Sequence, residues 1–135
     1  MTLKITDKTH DLEYIKKLEE ISGENLHKCM QCGTCTAGCP MEEKMDIPPR
    51  KIILLSHFGM KEELTDSNTV WLCATCNTCY ARCPRGLDIP KVMEAIRQVA
   101  LRENKNHIEP NEISKEVLRD VPQIALISCF RKHTS

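Results

Sequence analysis

The sequence predicts an all-α fold built as two copies of one unit, and three observations carry that prediction. Cys29-Met30-Gln31-Cys32-Gly33-Thr34-Cys35-Thr36-Ala37-Gly38-Cys39-Pro40 returns as Cys73-Ala74-Thr75-Cys76-Asn77-Thr78-Cys79-Tyr80-Ala81-Arg82-Cys83-Pro84, both reading C-x2-C-x2-C-x3-C-P. Each copy is followed by Asp-Ile-Pro and then by apolar residues at helical spacing. The segment between Cys39 and Cys73 carries helix caps and a helical stripe, not the Val/Ile alternation of a strand. A small domain built on two β-hairpins is therefore disfavoured.

Taken in order, residues 10–21 place Leu12, Ile15, Leu18 and Ile21, with Tyr14, near helical spacing. Thr9 is the expected N-cap and Gly23 the expected stop. After the first motif, Asp46-Ile47-Pro48 reads as an acidic cap with proline in the first turn. The helix it opens carries Ile52, Ile53, Leu55 and Phe58 and ends at Gly59. A short charged segment, 60–64, leads to Asp66 and Ser67, one of which is expected to cap the turn Val70-Trp71-Leu72. Asp88-Ile89-Pro90 opens a longer helix with Ile89, Val92, Met93, Ile96, Val99 and Ala100 on one face, reaching about Glu103. In the tail, residues 112–119 place Ile113, Val117 and Leu118 at helical spacing. Beyond Pro122, residues 123–130 form an apolar stretch that ends in Arg131-Lys132-His133. Such a stretch packs back on the core or lies in a partner's groove. The expected organisation is an N-terminal packing helix and extension (1–22), a domain carrying both motifs (23–104), and a C-terminal helix with an apolar, partner-binding tail (105–135).

At 135 residues the chain is one domain's worth. Apolar residues make up 41%, but nine of them are cysteine, and Phe, Trp and Tyr number only 2, 1 and 2. The hydrocarbon core is thin, so the fold calls for inorganic or covalent staples. With 19 basic and 19 acidic residues the net charge is zero, which argues against a nucleic-acid binder. The aliphatic runs 52–55 and 124–127 fall far short of the ~18 residues of a membrane span. Residues 1–8 are polar, unlike a signal peptide, so a soluble cytoplasmic protein is expected.

The cysteine spacing is that of [4Fe–4S] clusters in two-cluster proteins, where the fourth cysteine of each run serves the other cluster. Proline after that cysteine turns the chain away from its own triplet. Two [4Fe–4S] clusters are therefore expected, one on Cys29, Cys32, Cys35 and Cys83, the other on Cys73, Cys76, Cys79 and Cys39. A zinc-stapled interaction module is the alternative from another class, but zinc sites favour separated C-x2-C pairs over overlapping triplets. Disulfides are rare in a reducing compartment. Cys129, outside both motifs, reads as a small buried hydrophobe. His10, His27, His57, His107 and His133 read as surface or boundary residues, since all eight ligand positions are filled by cysteine. Trp71 and Tyr80 flank the second motif and are expected to pack against its cluster. Lys28, Arg82 and Arg85 adjoin ligands and either offset cluster charge or are simply solvated. No nucleotide-binding glycine pattern, Ser/His/Asp set or adjacent Cys-Cys pair is present, so no catalytic group of the chain's own is expected.

The run from Trp71 through Cys73, Cys76, Cys79 and Cys83 to Gly86 resembles the C subunit of heterodisulfide reductase, as does the run from Cys29 to Pro40. The tail pieces Val121-Pro122-Gln123 and Phe130-Arg131-Lys132 are similar to that C subunit too. The resemblance implies an α-helical ferredoxin with two [4Fe–4S] clusters in a pseudo-repeat. It implies a non-catalytic member of a complex, passing electrons from a flavin- and cluster-bearing A subunit to a catalytic B subunit. The latter reduces the coenzyme M–coenzyme B disulfide in methanogens. The iron–sulfur subunit of another oxidoreductase, or a free two-cluster ferredoxin, are the readings nearest to it.

Overall fold

The computed structural model describes residues 10–104 and 106–135. All regular structure among them is helical, as the repeat and its caps predict, and no strand occurs. Contacts divide the chain into a first unit ending at Arg97 and a second running Gln98–Ser135.

The first unit begins with α1 (Leu12–Ser22), whose apolar stripe buries Tyr14, Ile15 and Leu18. Its expected cap, Thr9, lies outside the described residues; Asp11 caps the helix instead, its carboxylate accepting from Tyr14 N at 2.9 Å. Gly23 ends it in the left-handed conformation, donating its N–H to Glu19 O. After a 3-10 turn, Leu26–Lys28, comes the first motif with its short helix α2 (Thr34–Ala37), and then α3 (Pro49–His57). Ile52, Ile53 and Leu55 of α3 are buried, each worth about 1.5–3 kcal/mol of apolar transfer. Gly59 follows with φ +64, where a Cβ would stand 2.4 Å from Asp11 O. Only glycine lets the end of α3 approach the start of α1 this closely.

Most of the charged segment 60–64 lies in helix α4 (Lys61–Thr65), whose Leu64 is fully buried. The one-turn helix α5 (Thr69–Leu72) leads into Cys73, and α6 (Thr78–Arg82) lies within the second motif. The long helix α7 (Ile89–Arg102) closes the first unit by burying Ile89, Val92, Met93 and Ile96.

The two Asp-Ile-Pro signals behave differently. Asp88 opens α7 as expected, its carboxylate accepting from Lys91 N at 3.2 Å. Asp46 does not cap α3, which starts from Pro48 without a side-chain cap. Its carboxylate instead takes the Ser67 hydroxyl, Asn68 N, Thr69 N and the Thr69 hydroxyl at 2.7–3.0 Å. The expected local cap of α5, Ser67, also accepts from Thr69 N at 3.1 Å, while Asp66 does not take part. Arg97 of α7, 3% exposed, donates from Nη1 to Val70 O at 2.7 Å. Two distant residues thus hold the turn that presents Cys73.

In the second unit the helix expected at 112–119 is broken into a 3-10 turn, Pro110–Glu112, and α8 (Lys115–Asp120), with the Ser114 hydroxyl accepting from Val117 N at α8's start. The apolar stretch after Pro122 is itself helical, α9 (Gln123–His133). Its end is tied back locally: His107 N donates to His133 O at 2.9 Å and Ser135 N to Asn106 Oδ1 at 2.7 Å. The His107 and His133 rings stack at 5.3 Å. Cys129, expected to be buried, is half-buried.

Candidate functional site

Both motifs use one backbone solution. Gln31 and Gly33 have φ of 57° and 84°, and Thr75 and Asn77 at the same places have 54° and 60°. Placing alternate residues in the left-handed region curls the chain tightly through each run of three cysteines. Three of those four residues carry a side chain, an arrangement that costs energy and persists where the surroundings impose it. The short helices α2 and α6 then begin one residue before the third cysteine and pack on each other. Gly38 and Arg82 hold the same position in the two motifs and meet. A Cβ on Gly38 would lie 2.7 Å from Arg82 Nη1.

The eight motif cysteines gather around two cavities. One is lined by Cys29, Cys32, Cys35 and Cys83. The other is lined by Cys73, Cys76, Cys79 and Cys39. In each, three cysteines come from one motif and the fourth from its twin, the grouping that the spacing predicts. Ile89, 3% exposed, lines both cavities and stands between them. Among the described residues, no group of three or more His, Cys, Asp or Glu is arranged to hold one metal ion. Four thiols ring each space, as a [4Fe–4S] cube with one thiolate on each iron requires.

The electrostatics fit the same occupant. Burial pushes the Cys35 thiol up, and at Cys79 burial together with the neighbouring Cys73, Cys35 and Cys76 raises it to about 11. Burial also raises Cys39, with Cys73 and Cys76 adding to it. Four thiolates in one half-buried cavity repel each other until cationic iron sits among them, and metal-bound thiols are then deprotonated outright. The second cysteine of each motif is the exposed one, and a threonine serves it. Thr34 Oγ1 lies 3.3 Å from Cys32 Sγ and Thr78 Oγ1 3.5 Å from Cys76 Sγ, each holding its thiol below the ordinary value. Gln31 Nε2 donates to Cys29 Sγ at 3.3 Å and Leu87 N to Cys83 Sγ at 3.4 Å.

Some expectations about the surroundings need correction. Trp71 is buried and Tyr80 is 47% exposed, but neither lines the second cavity. Its apolar cover comes from two separate segments, Met41, Met45 and Pro49 after the first motif and Pro90 and Met93 of α7. Arg85 lines the first cavity, donating from Nε to Lys28 O at 3.3 Å, and Arg50 of α3 joins it there. Lys28 is exposed and does not line either cavity. No signal in the chain points to Arg50, whereas Thr34 and Thr78 have one: both precede the third cysteine of their motif.

A family model described as a 4Fe–4S dicluster domain matches residues 28–88. The C subunit of the H2:CoB–CoM heterodisulfide,ferredoxin reductase of Methanothermobacter marburgensis is 37% identical over 92 residues, 68% of this chain and 50% of the relative. The second iron–sulfur C subunit of the CoB–CoM heterodisulfide reductase of Methanocaldococcus jannaschii is 32% identical over 111 residues, 79% of this chain and 59% of the relative. The C subunit of the ferredoxin:CoB–CoM heterodisulfide reductase of Methanosarcina mazei is 35% identical over 106 residues, 78% of this chain and 65% of the relative. The matched region thus spans 50 to 65% of the length of these relatives. The chain thus carries a dicluster domain that implies two [4Fe–4S] clusters, and it is similar to the C subunits of several heterodisulfide reductases.

Proposed function

We propose that this chain is the electron-transfer subunit of a cytoplasmic heterodisulfide reductase complex acting on the CoB–CoM disulfide. It relays electrons from a flavin-containing A subunit to a catalytic B subunit and has no active site of its own. In this reading Cys29, Cys32, Cys35 and Cys83 ligate one cluster and Cys73, Cys76, Cys79 and Cys39 the other. The observation that carries it is the gathering of each cysteine triplet with the fourth cysteine of the opposite motif around one cavity.

When bound, each cluster takes up and releases one electron without making or breaking a substrate bond. The residues supply the rest. Four thiolates hold each site, and Thr34 and Thr78 offer a hydroxyl to the exposed sulfurs Cys32 and Cys76. Methionines and prolines keep water from the second cavity, and Ile89 keeps the two sites apart by one side chain. The exposed edges at Cys32 and Cys76 give each site its own way out to a partner. Val117, Leu118, Ile124 and Ile127 are exposed apolar residues of the second unit, which supports a docked component of a complex over a free carrier. No helix among the described residues is long and apolar enough to cross a membrane.

Oxygen-free purification from the native source tests the reading. The chain is expected to be brown, to carry about eight iron and eight labile sulfide, and to co-purify with a flavoprotein and a further cysteine-rich protein. Recovery as a lone, colourless, zinc-containing protein sinks it.

A further inference from the structure

The two cavities offer their occupants unlike surroundings. The one formed by Cys29, Cys32, Cys35 and Cys83 is lined by two guanidinium side chains, Arg50 from α3 and Arg85 from the turn after the second motif. The Arg50 stem lies over Gly33, 3.7 Å from where a Cβ would be, while Arg85 is held by its bond to Lys28 O. The side chain of Gln31 and the backbone of Leu87 add N–H donors to two of its sulfurs. The other cavity has no arginine or lysine in its lining, which is methionine, proline, isoleucine and alanine beside the cysteines and Thr78. Carboxylates stand near it instead: Glu42 and Glu43 share an open groove with Cys39, which Arg50 also lines. Reduction adds negative charge to a site already bearing four thiolates, so cations and N–H donors ease it, and an apolar lining with a carboxylate opposes it.

We infer that Arg50 and Arg85 make the Cys29/Cys32/Cys35/Cys83 site the more easily reduced of the two, so that electrons run toward it from the Cys73/Cys76/Cys79/Cys39 site. This ordering rests on the two-cluster reading above. One electron leaves the second site, which is oxidised by one, and reduces the first by one; no proton moves with it. The electron enters from a one-electron reductant docked at the exposed Cys76 edge. It leaves to an acceptor docked at the exposed Cys32 edge. Arg82 lies against Gly38, beside both Cys39 and Cys83, and so does little to separate the sites.

Redox titration of the cluster-loaded protein, followed by electron paramagnetic resonance, reads the ordering directly. Two one-electron couples are expected. In Arg85→Gln, and more so in Arg50→Gln/Arg85→Gln, the higher couple falls while the lower stays. The expected change is about tenfold in the reduction equilibrium of that site, a shift of about 59 mV for one electron. In Glu42→Gln the lower couple rises. Both arginines are exposed, so high salt is expected to narrow the gap in the wild type and to matter less in the double variant. A fall of the lower couple in the arginine variants, or no movement of either, overturns the ordering. Iron analysis precedes each titration: two full clusters with the wrong shift sink the ordering alone, whereas absent clusters sink the cofactor reading beneath it.

Discussion

The two motif halves share a backbone and differ in what surrounds it. Left-handed residues fall at the same places, Gln31 and Gly33 against Thr75 and Asn77, and a threonine meets the exposed cysteine in both. Around the first motif lie Arg50 and Arg85; around the second lie Met41, Met45 and Met93. The same division of labour separates Asp46 from Asp88. Asp88 caps its own helix, a local task, whereas Asp46 reaches 21 to 23 residues along the chain to hold α5 ahead of Cys73. A repeat therefore sets the sites, and departures from it decide how each half is held and tuned.

The largest expected effect tests the crossing itself. Cys83→Ala is expected to remove the cluster of the opposite motif, with loss of about half the iron, while the cluster of Cys73, Cys76 and Cys79 survives. Cys39→Ala is expected to do the reverse. Metal analysis with paramagnetic resonance of each variant decides it, and loss of the local cluster breaks the pairing.

A smaller effect sharpens the contrast between the two aspartates. Asp46→Ala leaves the start of α5 without its acceptor and is expected to cost about 2 kcal/mol, moderated by the exposure of the carboxylate. Asp88→Ala removes one helix cap and is expected to cost about 1 kcal/mol. Denaturant unfolding of the cluster-loaded variants measures both, and equal losses would make the two halves more alike than their hydrogen bonds suggest.

The smallest effect is a pH dependence confined to the first half. Burial alone raises the Asp46 carboxyl, but hydrogen bonds from Thr69, Asn68, Ser67 and Ile47 outweigh it and bring it down to about 2 from 3.8. Because the folded value is depressed, its stabilisation is fully present above pH 3.8 and is lost as pH falls through about 2. The stability difference between wild type and Asp46→Asn is expected to shrink by roughly half between pH 5 and pH 3. A difference independent of pH over that range removes the ionised carboxylate from the account.

Much of the fold is legible along the chain because the signals are local. Cysteine spacing, the αL stop at Gly23 and the stripe of α7 each depend on residues a few positions apart. The departures share a cause. Local pattern makes Asp46 the cap of the helix beside it, since nothing nearby reveals that Ser67, Asn68 and Thr69 lie within reach. Adjacency to Cys79 makes Tyr80 a cover for the second site, yet its place in a short helix turns it outward to 47% exposure. Residues 123–130 read as an apolar tail because their stripe is weak, while the helix there is closed by bonds from His107 and Ser135.

By itself, the order of residues determined the helical class and the doubled cysteine motif, because spacing and caps act over one or two turns of chain. Only the tertiary structure decided that Ile89 stands between the two cavities, that Arg50 and Arg85 share one of them, and that Asp46 and Arg97 grip the turn before Cys73. Those choices join residues tens of positions apart, and such meetings are set by how helices pack rather than by any pattern within them.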